Sequence, residues 1–208
     1  MACKDSTGTV DATAVRDGDF ELSVNNLIVN EGTPYAVWTV KYVAGQQVNL
    51  DLLFDSTAAP ADLNATTAPA KPTIQYYNAT TSQWVNYTPG SGTAVTMPNG
   101  GKLLVRTAII NDTTLDNNET FKLQATNTGG SHALGQATIK DDGTGDVFRD
   151  DGTVNPNAIK DDDRAISVND ITVNEASPYA VFEVSGFAGQ KTSLELLVGT
   201  ASGDGVDY

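Results

Sequence analysis

Two stretches of this 208-residue chain are copies of one another. Residues 21–54 and 165–198 align without a gap at a constant offset of 144 positions, with 17 identical residues in 34 positions. A period of this length is too long for a solenoid repeat and is typical of a whole β-sandwich domain. The sequence therefore predicts one complete module at residues 20–142 and a second, truncated module at 165–208.

An acidic segment separates the two copies. Residues 1–19 resemble a shorter version of it and are interpreted as the tail of a preceding junction, and residues 143–164 are interpreted as an acidic linker. Between Ile139 and Arg164 the aspartates are Asp141, Asp142, Asp146, Asp150, Asp151, Asp161, Asp162 and Asp163. Such closely spaced carboxylates repel one another unless cations or salt compensate them. The hypothesis is that this junction between modules is flexible without a bound cation and rigid with one.

Apolar alternation bounded by turn residues predicts strands throughout the first module. The predicted strands are at 22–29, with a bulge or break at Asn25-Asn26, and at 35–40, 48–53, 74–77, 84–87, 94–97, 102–110, 120–125 and 133–139. Many short strands with turns between them predict an all-β fold, an antiparallel sandwich.

Composition narrows the classes of function. The net charge of −14 argues against nucleic acid and anionic membranes as partners, since phosphate would repel the protein. No apolar run is long enough for a transmembrane helix, so membrane insertion is not expected. Cys3 is the only cysteine, which excludes an intrachain disulfide and leaves a core, a metal or both to stabilise the fold.

Short motifs in a fixed order resemble the Calx-β domain, an Ig-like calcium-binding sandwich. The matching pieces are 29–31 (VNE), 112–121 (DTTLDNNETF) and 139–143 (IKDDG) in the first copy, with 173–175 (VNE) and 205–208 (GVDY) in the second. The chain departs from the pattern at 61–63 (ADL), where GxDY is expected, and at Asn117 and Asn118. The resemblance implies an Ig-like β-sandwich of the Calx-β type.

The same resemblance implies a calcium site at one pole of the module. Calcium needs six to eight hard oxygen ligands, which loops at one end of a sandwich can supply together. The implied ligands are Glu31, Asp112, Asp116, Glu119, Asp141, Asp142 and, in the second copy, Glu175 and Asp207. Asp141 and Asp142 are the residues on which this prediction depends most.

The expected function is structural. The chain is interpreted as a calcium-binding spacer module of a secreted bacterial surface or adhesin protein, located outside the cell and stiffened by Ca²⁺ at the junction. Its expected partners are neighbouring modules, and another chain could cover the truncated copy by strand complementation. Two alternatives are an adhesive carbohydrate-binding module that uses the aromatic hairpin at 74–87 and a strand-complemented assembly or polymerisation module. No nucleophile, base and orienting group converge in the sequence, so an enzyme is not expected.

Overall fold

The fold of the described residues is entirely β. The computed structural model of the chain describes residues 7–9, 21–54 and 72–197. The strands are β1 (Ser23–Val24), β2 (Leu27–Asn30), β3 (Tyr35–Lys41), β4 (Gln47–Phe54), β5 (Ile74–Asn78), β6 (Gln83–Tyr87), β7 (Val95–Thr96), β8 (Lys102–Ala108), β9 (Thr120–Asn127), β10 (His132–Lys140), β11 (Ser167–Val168) and β12 (Val184–Ser185). Within these residues, no helix has the length and apolar character that crossing a membrane requires.

Two five-stranded sheets build the first module in a β-sandwich-like arrangement. One sheet has the order β1-β3-β8-β5-β6 and the other the order β2-β10-β9-β4-β7. The strands predicted from the sequence are confirmed. The expected purely antiparallel pairing is wrong for β2, which pairs parallel to β10 with Val29 opposite Ile139.

The parallel pair arises where the chain changes sheets at the predicted break. The Asn25 side-chain oxygen accepts a hydrogen bond from Thr39 N of one sheet, and the Asn26 oxygen accepts one from Gln136 N of the other. Gly135 makes room for this crossing, since a Cβ there would lie 2.4 Å from the Asn25 carbonyl oxygen. The crossing places the end of β2 beside the end of β10.

The inner faces of the two sheets enclose one apolar core. Trp38 of β3 packs edge-to-face on Phe121 of β9 with ring centroids 5.4 Å apart, and both residues are fully buried. Leu50 and Leu123 extend this core along β4 and β9. The sheets are thus held together by the alternating apolar residues that the sequence pattern predicts.

Residues 143–154, here named the clasp, pack against the first module. Asp146 bonds in a parallel bridge beside Val29, with Asp146 N donating to Ile28 O and Asn30 N donating to Asp146 O, both at 2.9 Å. Phe148 is 8% exposed, and its N–H donates to the Thr33 hydroxyl. Gly145 has φ +81°, and a Cβ there would lie 2.5 Å from the Val29 carbonyl carbon, so glycine permits the close approach.

The clasp then crosses the outer face of the first sheet. The Asp150 carbonyl oxygen accepts hydrogen bonds from Trp84 Nε1 at 2.7 Å and from Arg106 Nη1 at 3.3 Å. The Arg106 guanidinium lies between the rings of Tyr35 and Trp84, 3.7 and 4.1 Å from their centroids. This cover explains why Val37, on the outer face of β3, is buried.

The second copy repeats the local structure of the first. The Asn25–Thr39 bond recurs as Glu183 N to the Asn169 side-chain oxygen, and β11 pairs with β12 as β1 pairs with β3. Its apolar residues are nevertheless exposed: Leu194 is 75% exposed, whereas its counterpart Leu50 is 1% exposed. The described part of the second copy therefore has the turns of the module without a covered core.

Candidate metal centre

Four carboxylates from three distant parts of the chain converge at one pole of the first module. Glu31 follows β2, Asp141 follows β10, and Asp161 and Asp163 lie beyond the clasp. One oxygen of each can be chosen so that all four oxygens lie within 4.8 Å of one another. Glu31 is 1% exposed and Asp141 is fully buried, while the other two are half-buried. We call these four residues the carboxylate cluster.

Each member of the carboxylate cluster has one buried oxygen that receives no hydrogen bond. These atoms are Glu31 Oε2, Asp141 Oδ2, Asp161 Oδ2 and Asp163 Oδ2. The other oxygens of three members are bonded: Glu31 Oε1 accepts from Asp112 N, Asp141 Oδ1 from Asp163 N, and Asp161 Oδ1 from Asn111 Nδ2. Buried polar atoms are normally paired, so four unpaired anionic oxygens in one place fit a cation that would bond them together.

The electrostatics of the carboxylate cluster also favour a bound cation. Burial, together with the charges of Asp141, Asp116 and Asp112, raises the pKa of Glu31 to about 7, against the opposing bond from Asp112 N. Burial and the neighbouring carboxylates of Asp161 and Asp163 raise the pKa of Asp141 to about 7, against the opposing bond from Asp163 N. Two like charges ~4 Å apart repel by roughly 4 kcal/mol at an effective dielectric of about 20. A divalent cation would turn this repulsion into attraction.

Asn30 holds the chain segments that carry the cluster. Its buried amide nitrogen donates to the carbonyl oxygens of Lys140, Thr144 and Asp161 at 2.9 to 3.2 Å. Its side-chain oxygen accepts from Asp161 N at 2.7 Å and from Gly32 N at 3.1 Å. Asn30, which precedes Glu31, thus holds the backbone of Lys140, which precedes Asp141, and the backbone of Asp161.

Three of the residues predicted as ligands lie on the connection between β8 and β9. The N–H of Asp112 donates to Glu31 Oε1, while its own Oδ1 accepts from Thr114 N. Asp116 is close enough to Glu31 for its charge to raise the pKa of that residue. Glu119 is buried at the start of β9. Asp112 and Asp116 therefore surround the cluster without belonging to the set of four converging oxygens.

The remaining predicted ligands that the structure describes, Asp142 and Glu175, lie outside the carboxylate cluster. The Asp142 carboxylate accepts hydrogen bonds from Thr144 and Asn117 and lies 4.0 Å from Lys140 Nζ. Although burial raises it, these bonds lower the pKa of Asp142 below its ordinary range. Glu175 of the second copy is exposed, and Asp207 lies outside the described residues. Of the seven predicted residues that the structure describes, only Glu31 and Asp141 belong to the carboxylate cluster.

Asp161 and Asp163 are members of the cluster that the sequence analysis does not predict, because it assigns them to the acidic linker at 143–164. A usable pattern was present. With the 144-residue offset extended upstream, these residues align with Asp17 and Asp19, so a D-x-D pair precedes both copies. Asp17 and Asp19 lie outside the described residues. A D-x-D pair at the same distance before each copy indicates that the two pairs have the same role.

The raised pKa values predict how pH affects the cation-free protein. Glu31 and Asp141 release protons near their ordinary 4.5 and 3.8 when unfolded but near 7 when folded. Between about pH 4 and 7 the folded state therefore binds more protons, so stability falls as pH rises. In a chelator, the melting temperature should drop by roughly 5 °C between pH 5 and pH 8. Calorimetry at constant ionic strength checks this, and a melting temperature that rises over that interval would contradict it.

Comparison with known protein families and with curated proteins gives no match for this sequence. The carboxylate cluster and the repeat are therefore the features of this chain that bear on its function.

Proposed function

We propose that this chain is a calcium-binding spacer module of the Calx-β type, from a secreted bacterial surface protein. In this function, Ca²⁺ in the carboxylate cluster ties Asp161 and Asp163, which lie beyond the clasp, to the sandwich and stiffens the junction between modules. The observation that carries the proposal is a group of four carboxylates that can each place one oxygen within 4.8 Å of the others. Each of the four also has a buried oxygen without a hydrogen-bond partner. Asp112 and Asp116 would add negative charge around the ion.

The donor set favours calcium over other cations. All four oxygens are carboxylate oxygens, which suit hard cations such as Ca²⁺, Mg²⁺ and Mn²⁺ rather than zinc or copper. Mg²⁺ keeps several waters and is usually bound by one or two carboxylates, whereas Ca²⁺ accepts many carboxylates in irregular geometry. Four carboxylates, two of them buried and two half-buried, therefore favour calcium by their number and charge.

The position of the cluster explains why a cation there would matter mechanically. Glu31 and Asp141 belong to the sandwich, whereas Asp161 and Asp163 stand directly before the second copy. An ion bonded to all four would cross-link the end of one module to the start of the next. The proposed location is outside the cell, where millimolar calcium is matched to the modest affinity of calcium sites in extracellular modules.

Calcium is expected to raise the melting temperature, and a chelator is expected to reverse the change. An ion at a hundredfold excess over its dissociation constant stabilises the folded state by about 2.7 kcal/mol, which corresponds to roughly 5–10 °C for a domain of this size. Thermal unfolding in millimolar Ca²⁺, in Mg²⁺ and in chelator provides the test, with titration calorimetry to count ions. Identical melting curves in calcium and chelator would refute the proposal.

A further inference from the structure

The four residues 161–164, here named the joint, present alternate side chains to opposite sides. Asp161 and Asp163 point their carboxylates into the carboxylate cluster. Asp162 points away, and both of its oxygens accept hydrogen bonds from the Arg164 guanidinium, from Nε and Nη2 at 2.7 Å. One side of this short extended segment thus belongs to the candidate cation site, and the other side faces the second module.

A turn of the second module, residues 186–190, lies on that other side. The Gln190 amide nitrogen donates to the carbonyl oxygens of Asp162 and Arg164. The Gln190 oxygen accepts from Phe187 N at 3.1 Å, which closes the turn. The Arg164 guanidinium lies 4.4 Å from the centroid of the Phe187 ring. The turn therefore binds both the backbone and a side chain of the joint.

We propose that this turn is a docking surface for the joint, with Gln190 as its anchoring residue, and that cation capture on one side of the joint orients the second module on the other. The inference rests on the proposed calcium function for its coupling, but the docking contact stands on its own geometry. Gln190 is half-buried in an otherwise exposed part of the chain, which is expected of an interface residue. Gln46 occupies the equivalent position in the first module and is also buried.

The backbone of the joint is bound from two sides, by Asn30 of the first module and by Gln190 of the second. Asp161 N is held by the Asn30 side chain, and Gly143 N donates to Asp161 O at 2.9 Å. Gln190 holds the next carbonyl oxygens, of Asp162 and Arg164. Ordering of Asp161 and Asp163 around an ion would therefore also order the carbonyl groups that Gln190 binds, so the two events are expected to be cooperative.

Gln190→Glu separates docking from folding of the turn. The substitution keeps an oxygen that can accept from Phe187 N, but it removes the amide donor to the joint and adds a repelling charge beside Asp162. Gln83→Glu is the matched control, because Gln83 is an exposed glutamine on β6 of the first module. Amide hydrogen exchange of the full chain, with and without calcium, reports on the joint and on the turn separately.

In the parent chain and in Gln83→Glu, calcium is expected to slow exchange about tenfold at both 161–164 and 186–190. In Gln190→Glu, calcium should still slow exchange at 161–164 but no longer at 186–190. A turn that keeps its calcium response in Gln190→Glu, or that never responds although the joint does, would overturn the inference.

Failure of the proposed function has a different signature. If calorimetry and exchange show no calcium effect anywhere in the parent chain, the calcium function and its coupling to the turn are overturned. The docking contact is then judged without calcium. Faster exchange at 186–190 in Gln190→Glu than in Gln83→Glu supports it, and equal rates overturn it.

Discussion

Asp141→Asn is expected to raise the melting temperature of the calcium-free protein and to remove most of its stabilisation by calcium. Without a cation, the buried Asp141 carboxylate has an unpaired oxygen and lies among three other carboxylates. Asparagine keeps the shape and an oxygen for the Asp163 N–H but carries no charge. Replacing an uncompensated buried charge with a neutral isostere relieves repulsion, which predicts a gain of roughly 5 °C at pH 8 in chelator.

The same substitution should weaken calcium binding by at least roughly tenfold, because one of four anionic ligands is lost. Asp142→Asn is the matched control. It changes the adjacent residue in the same way, but that carboxylate bonds with Thr144 and Asn117 outside the cluster. Melting curves and calorimetric titrations of both variants test the prediction. An Asp141→Asn protein that responds to calcium like the parent chain would exclude Asp141 as a ligand.

A chain that ends at residue 142 is expected to be much less stable than one that ends at 164. Ending the chain at 142 removes the clasp, including the buried Phe148, and exposes Val37 and the Arg106 stack on the outer face of the sheet. Burial of a phenylalanine is worth ~2–3 kcal/mol, and each lost hydrogen bond about 1 kcal/mol. The combined loss should be roughly 4 kcal/mol or more, a large part of the 5–15 kcal/mol typical of domains.

Urea unfolding of chains 21–142 and 21–164 measures this difference. Phe148→Ala in the full chain is a second variant that keeps the backbone of the clasp, and it should cost about 3 kcal/mol. If both chains unfold at the same urea concentration and Phe148→Ala is neutral, the clasp contributes nothing to the fold, and the module ends at β10.

The strands could be predicted because their determinants are local. Val48, Leu50 and Leu52 are buried at every second position of β4, and a period of two places apolar side chains on one face whatever the partner strand is. Asn25 and Asn26 marked the break between β1 and β2 for the same reason, since side-chain amides of neighbouring residues compete with regular pairing. The parallel pairing of β2 with β10 depends on residues over a hundred positions apart, so no local pattern indicates it.

The carboxylate cluster, like the strands, could be predicted from the sequence only where its determinants are local. By itself the sequence determined that acidic residues follow β2 and β10 and that a repeat surrounds an acidic junction. Only the tertiary structure decided which carboxylates meet. Asp161 and Asp163 join Glu31 because the Asn30 side chain bonds the Asp161 backbone and Gly145 lets the clasp lie against β2. In a run of three aspartates and an arginine, the side that faces the sandwich is set by these long-range contacts, because alternation alone fixes two opposite faces without distinguishing them.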